Sequence, residues 1–172
     1  MKEFLTIPAQ RLVGRVFTES SADENGSFAS AWDEFTEAGH FKALDPLADV
    51  PNRTSVIVFS PYGSLQYWLG SILPVAVNVP NGFQVLNLPA ATGAVVDKQV
   101  RSMMTDLPLG IAYNQGLAAL QQAGFQLPAH IGQTDTPYYM ERYNLNQDGV
   151  AKQVEYTVYA RADQLGGFDD IE

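Results

Sequence analysis

Leu5-Thr6-Ile7-Pro8-Ala9 and Leu86-Asn87-Leu88-Pro89-Ala90 are one apolar string closed by proline, written twice at a spacing of 86 − 5 = 81 residues. Each runs into residues suited to a strand: Leu12-Val13-Gly14-Arg15-Val16-Phe17 in the first case, Gly93-Ala94-Val95-Val96 in the second. The likeness continues in the same order along the chain, the signature of an internal repeat. Phe35-Thr36-Glu37-Ala38-Gly39 resembles Leu120-Gln121-Gln122-Ala123-Gly124 at 120 − 35 = 85, and Leu65-Gln66-Tyr67 resembles Val154-Glu155-Tyr156 at 154 − 65 = 89. Growing offsets call for small insertions in the connecting loops. The expectation is one domain, residues 1–172, built from halves of about 1–80 and 81–172.

Within each half the pattern reads strand, helix, strand, strand. Phe28, Trp32 and Phe35 repeat at helical spacing and predict a helix over about 26–38, capped by Asn25 or Ser27 and stopped at Gly39. Tyr113, Leu117 and Leu120 predict its counterpart over about 109–123, stopped at Gly124. Strands follow at Thr54–Ser60 and Leu65–Ile72, then at Pro137–Asn144 and Gln153–Arg161, with Pro61-Tyr62-Gly63-Ser64 and Leu145-Asn146-Gln147-Asp148-Gly149 as turns. The connections near 40–53 and 74–82 read as loops. The fold class is therefore α+β: duplicated β-α-β-β units with pseudo-two-fold symmetry, two sheets covered on one side by helices, and a central ligand crevice between them.

Composition narrows the function. The 172 residues carry 19 acidic and 10 basic side chains, a net charge of −9 that repels phosphate backbones and attracts small cations. Direct nucleic-acid binding is not expected. The absence of cysteine removes thiolate metal sites, disulfides and thiol nucleophiles, and fits a cytoplasmic location. No apolar run is long enough to span a membrane, and Met1-Lys2-Glu3-Phe4 does not open a signal peptide. No phosphate-binding loop, dinucleotide fingerprint, nucleophile elbow or zinc-protease string occurs, so no metal or cofactor is expected. Asn52-Arg53-Thr54 matches a glycosylation sequon by pattern alone. His40 follows an apparent helix C-terminus at Ala38-Gly39 and His130 lies in a loop-like stretch, so a structural or surface role is expected for each.

The chemistry that remains lies in Tyr138-Tyr139-Met140-Glu141-Arg142-Tyr143. On a strand, Tyr139, Glu141 and Tyr143 share one face while Tyr138, Met140 and Arg142 share the other. A carboxylate between two phenol rings suits an organic cation, which gains charge pairing from the acid and cation–π contact from the rings. The plainer alternative is an aromatic sheet face with Glu141 exposed and paired to a surface base.

The repeated unit, Trp32 in the first helix, Tyr67-Trp68-Leu69-Gly70 and above all Glu141-Arg142-Tyr143 resemble the GyrI-like superfamily, the effector-binding domain of AraC-type and multidrug-responsive transcription regulators. The resemblance covers nearly the whole chain, from about Phe4 to Ala162. It implies a central pocket for lipophilic, often cationic or aromatic, compounds. It also maps the pocket glutamate onto Glu141, its companion onto Tyr143, and the aromatic wall onto Trp32, Tyr67 and Trp68. The chain opens on the domain's first strand without a helix-turn-helix region, so a stand-alone binding role is expected. Two alternatives follow from relatives of that kind. One is a hydrolase of electrophilic cyclopropane-type compounds, with Glu141 assisting water and Tyr143 as a donor. The other is a protein-interaction module with a partner such as DNA gyrase.

Overall fold

The computed structural model describes residues 2–164; the last part of the second half, residues 165–172, lies outside the described residues. Eight strands form one antiparallel sheet: β1 (Leu5–Ile7), β2 (Gln10–Thr18), β3 (Asn52–Phe59), β4 (Leu65–Leu73), β5 (Gln84–Leu88), β6 (Ala91–Gln99), β7 (Tyr138–Leu145) and β8 (Ala151–Tyr159). Three helices accompany them: α1 (Ala29–Glu37), α2 (His40–Leu44) and α3 (Leu109–Gln122). The fold class is α+β.

The two anticipated sheets are one, in the order β1-β6-β8-β7-β3-β4-β2-β5. Among the described residues, three strand pairings join the halves. β3 pairs with β7 through the register Val56↔Met140, and the short arms cross over, β1 onto β6 and β5 onto β2. Separate sheets would have left these strands with unpaired backbone edges, and pairing satisfies them. The prolines of the repeated string explain the arms. Pro8 and Pro89 each fall in a two-residue break, β1 to β2 and β5 to β6, where a residue lacking an N–H ends one ladder.

The longer strands match in length. β3 and β7 span eight residues and begin 138 − 52 = 86 apart, and β4 and β8 span nine and begin 151 − 65 = 86 apart. Both spacings are three residues shorter than the 154 − 65 = 89 of the Leu65/Val154 string match. The segment expected as a loop after Gly39 contains α2, because Phe41 and Leu44, three apart, are both buried. His40 opens that helix, its ring against Phe35 and Phe83. Asn52 of the sequon is 3% exposed; its side chain accepts from the Ile72 N–H and Thr54 hydroxyl and donates to the Val50 carbonyl, so the folded chain offers no glycosylation site there.

Alternation along the strands divides the core in two. One face meets the helices and buries Val13, Ile57, Tyr67, Leu69, Tyr139 and Val158 with Phe28, Trp32 and Phe35 of the α1 region and Leu120 of α3. The opposite face buries Leu12, Val56, Trp68, Met140 and Tyr159 in one cluster with Ile7 of β1 and Leu88 of β5. Side chains from both sheet edges thus join a cluster centred on β3 and β7, which requires the sheet to curl. Gly14 and Gly70 stand opposite each other in β2 and β4, and a Cβ on either would lie 1.9 or 2.1 Å from a carbonyl oxygen of the other strand. Only glycine permits that approach.

Candidate ligand-binding site

Glu141 stands near the middle of the sheet, opposite Ser55 of β3 on one side and Tyr156 of β8 on the other. Its side chain points to the helix face, as do those of Tyr139 and Tyr143 two residues away. The Tyr139 hydroxyl donates to Glu141 Oε2 at 2.7 Å. Among the described residues no cation pairs with the carboxylate. Burial pushes its pKa from 4.5 up to about 7, partly opposed by the Tyr139 hydrogen bond. Burial also raises the phenols of Tyr139, Tyr67 and Tyr143, and the nearby Glu141 carboxylate raises them further, so all three stay protonated as hydrogen-bond donors.

A cavity of about 300 Å³ opens at this point between the sheet and α3. Glu141, Tyr143 and Tyr156 line it from the sheet, and Ala112, Ala118 and Ala119 line it from the helix. The helix makes the space by presenting alanines, since longer side chains on that stripe would fill it. Met104 and Leu107, in the irregular segment between β6 and α3, close one side. The Met104 N–H donates to the Tyr143 hydroxyl at 3.2 Å, fixing that segment to the sheet. Lys98, Gln115 and Gln122 are exposed and form the rim.

Glu141 also lines a narrower recess of about 20 Å³ beside the first half of the chain. Its walls include Phe28, Trp32, Tyr67 and Ser55. Here aromatic packing has taken most of the volume. Phe28 stacks on Tyr67 with ring centroids 4.1 Å apart, and Trp32 Nε1 donates to the Tyr67 hydroxyl at 2.8 Å. The carboxylate thus faces an open space on one side and a packed aromatic wall on the other.

Five of the six residues singled out in the sequence meet around these two spaces: Glu141, Tyr143, Tyr139, Trp32 and Tyr67. Trp68 does not. It follows Tyr67 on β4, so its side chain goes to the other face, where it packs with Met140 and Val56 and donates to Gln66 Oε1 at 3.1 Å. Arg142 likewise turns away from the cavity and holds Glu155 through both carboxylate oxygens at 3.1 Å. Sequence reasoning missed Ser55, Met104, Leu107, Lys98 and the alanine stripe of α3. Only the alanines carried a local signal, a run of small residues at helical spacing. Among the described residues no group of three or more acidic or histidine side chains is placed to hold a metal ion, and no helix is long and apolar enough to cross a membrane.

No family model matches the chain, and no curated protein matches it by sequence. Solved structures do match. SAV2435, in a structure described as bound to tetraphenylphosphonium, superposes with a TM-score of 0.62 at 14% identity, over 94% of this chain and 95% of that one. A putative bacterial transcription regulation protein from Staphylococcus aureus MU50 gives 0.60 at 15% identity, over 93% and 97%. The C-terminal domain of EcmrR gives 0.50 at 13%, over 92% and 95%. Likeness over the full length of each at such low identity is likeness of fold: the chain shares the fold of SAV2435, of the Staphylococcus aureus MU50 protein and of the EcmrR C-terminal domain.

Proposed function

We propose that this chain binds lipophilic organic cations in the cavity beneath α3, with Glu141 as the counter-ion and Tyr139, Tyr143, Tyr67 and Trp32 as its aromatic surroundings. The observation that carries the reading is a sheltered carboxylate that faces an open cavity with a single phenol as partner and no described cation. Leaving such a charge unpaired is costly, and an organic cation relieves the cost without needing a hydration shell. The tetraphenylphosphonium held by SAV2435, a protein of the same fold, supports the same ligand class here.

Calorimetry with tetraphenylphosphonium, its isosteric anion tetraphenylborate and a neutral tetraphenyl analogue tests the reading. The cation should bind and the anion should not, and Glu141→Gln should weaken the cation about 10- to 100-fold, the range expected for a charge-assisted contact of roughly 1.5–3 kcal/mol. Equal affinity for all three compounds, or an unchanged Glu141→Gln variant, overturns it. A pKa of about 7 also suits a general base. Glu141-dependent formation of a water adduct from a cyclopropane electrophile would move the site from binding to hydrolysis.

We infer further that the two halves are a duplicated unit related by an approximate two-fold axis passing between Ser55 and Glu141. Exchanging β1–β4 for β5–β8 turns the strand order into its own reverse, and Ser55 and Glu141 are both paired across the seam and 141 − 55 = 86 residues apart, the spacing of β3 from β7. Superposition of β3–β4 on β7–β8 by a rotation far from 180° would overturn this.

A further inference from the structure

The cavity wall holds a base as well as an acid. On the helix face of the sheet, Glu141 lies in the cross-strand row Glu141–Tyr156–Val96, and the next row is Tyr143–Val154–Lys98. Lys98 is therefore two strands and two residues from Glu141 on the same face. Strand spacing of about 4.8 Å and a rise of about 3.3 Å per residue set the two Cα atoms roughly 12 Å apart. Both side chains line the same cavity, and among the described residues no other Asp, Glu, Lys or Arg side chain does. Lys98 makes no ion pair among the described residues. Its neighbour Asp97 belongs to the opposite face, in the row Asp97–Glu155–Arg142. Gln115 and Gln122, two turns apart on α3, add amide donors to the same rim.

A ligand that is only a cation satisfies Glu141 and leaves the Lys98 ammonium facing a like charge across the cavity. A ligand with a lipophilic cationic body and a pendant anionic group satisfies both, because the two side chains reach into one cavity from neighbouring rows of the sheet. We propose that the cavity selects zwitterionic amphiphiles of this kind, with Lys98 as the residue that reads the anionic end. The proposal rests on the cation reading of Glu141 and adds a second charge to it.

Rhodamine 123 and rhodamine 110 separate the two. They share one cationic xanthene, and the first carries a methyl ester where the second has a free carboxylate. Fluorescence titration of the full chain and its variants reads both. Lys98→Gln should weaken rhodamine 110 about 2- to 5-fold, as for a partly screened ion pair, and leave rhodamine 123 unchanged or slightly tighter. Lys98→Arg should restore rhodamine 110. Because Lys98 is exposed, the thermal midpoint of Lys98→Gln should equal that of the unsubstituted chain. Glu141→Gln should weaken both dyes. An equal response of the two dyes to Lys98→Gln overturns the proposal alone, while rhodamine 123 that binds Glu141→Gln as tightly as the unsubstituted chain overturns the cation reading. Failure of the unsubstituted chain to bind either dye overturns both.

Discussion

Glu141 is a residue that costs the fold something. Its carboxyl titrates near 4.5 in an unfolded chain and at about 7 in the folded one. Below pH 4.5 both states are protonated and the group contributes nothing. As pH rises from 4.5 to 7 the unfolded state loses the proton first, so stability falls, and above 7 the loss stays constant. The raised pKa sets its size at up to about 3 kcal/mol. Glu141→Gln removes the titration, so its chemical denaturation midpoint should exceed that of the parent at pH 8 and converge on it near pH 4. A constant difference across that range would contradict the burial of the carboxylate. Ligand binding follows the opposite sign. A cation needs the ionised acid, so affinity should fall toward tenfold per pH unit below 7.

At the scale of elements, the contact between α3 and β7 sets the geometry of the acid. Gly116 sits over Tyr139, and a Cβ added there would lie 1.8 Å from the phenol oxygen that donates to Glu141. That ring is 1% exposed and meets Tyr113 edge-on at 4.9 Å between centroids, so it cannot swing aside freely. Alanine gains up to about 1 kcal/mol of helix propensity over glycine, but overpacking of about 1–3 kcal/mol should outweigh it. Gly116→Ala is expected to lower stability in urea unfolding. It should also raise the Glu141 pKa further, read by carboxyl NMR titration, since the hydrogen bond that lowers that pKa is displaced. A more stable variant with an unchanged titration would mean that the helix simply lifts. The same helix forms the cavity through Ala112, Ala118 and Ala119, whereas the α1 side brings Phe28 and Trp32 against Tyr67 and leaves only a narrow recess.

At the scale of the whole molecule, the crossed arms make the halves interdependent. Among the described residues, β1 of the first half finds its only strand partner in β6, and β5 of the second half finds its own in β2. The β3–β7 seam adds seven paired positions between the halves. Expressed separately, residues 1–80 and 81–172 should show no cooperative thermal transition, because each would expose the seam strand and lose its arm partner. The intact chain should unfold in one step. A folded isolated half by circular dichroism would show that the arms are ornamental.

Much of this was legible in the chain itself. The period-two spacing of Tyr139, Glu141 and Tyr143 put them on one face because strand alternation is a local property. The aromatic spacing of Phe28, Trp32 and Phe35 announced a helix for the same kind of reason. In each Leu-x-Ile/Leu-Pro-Ala string the proline falls where a short strand ends. Alternation alone also said that Tyr67 and Trp68 could not share a face, but not which one would meet the helices. Register against β3 decided that, by pairing Tyr67 with Ile57 and Trp68 with Val56. The single sheet, the crossed arms, and the approach of Lys98, Met104 and Ser55 to Glu141 belong to tertiary structure alone. They depend on pairing between segments far apart in sequence, and no local propensity encodes which strand edge a segment will meet.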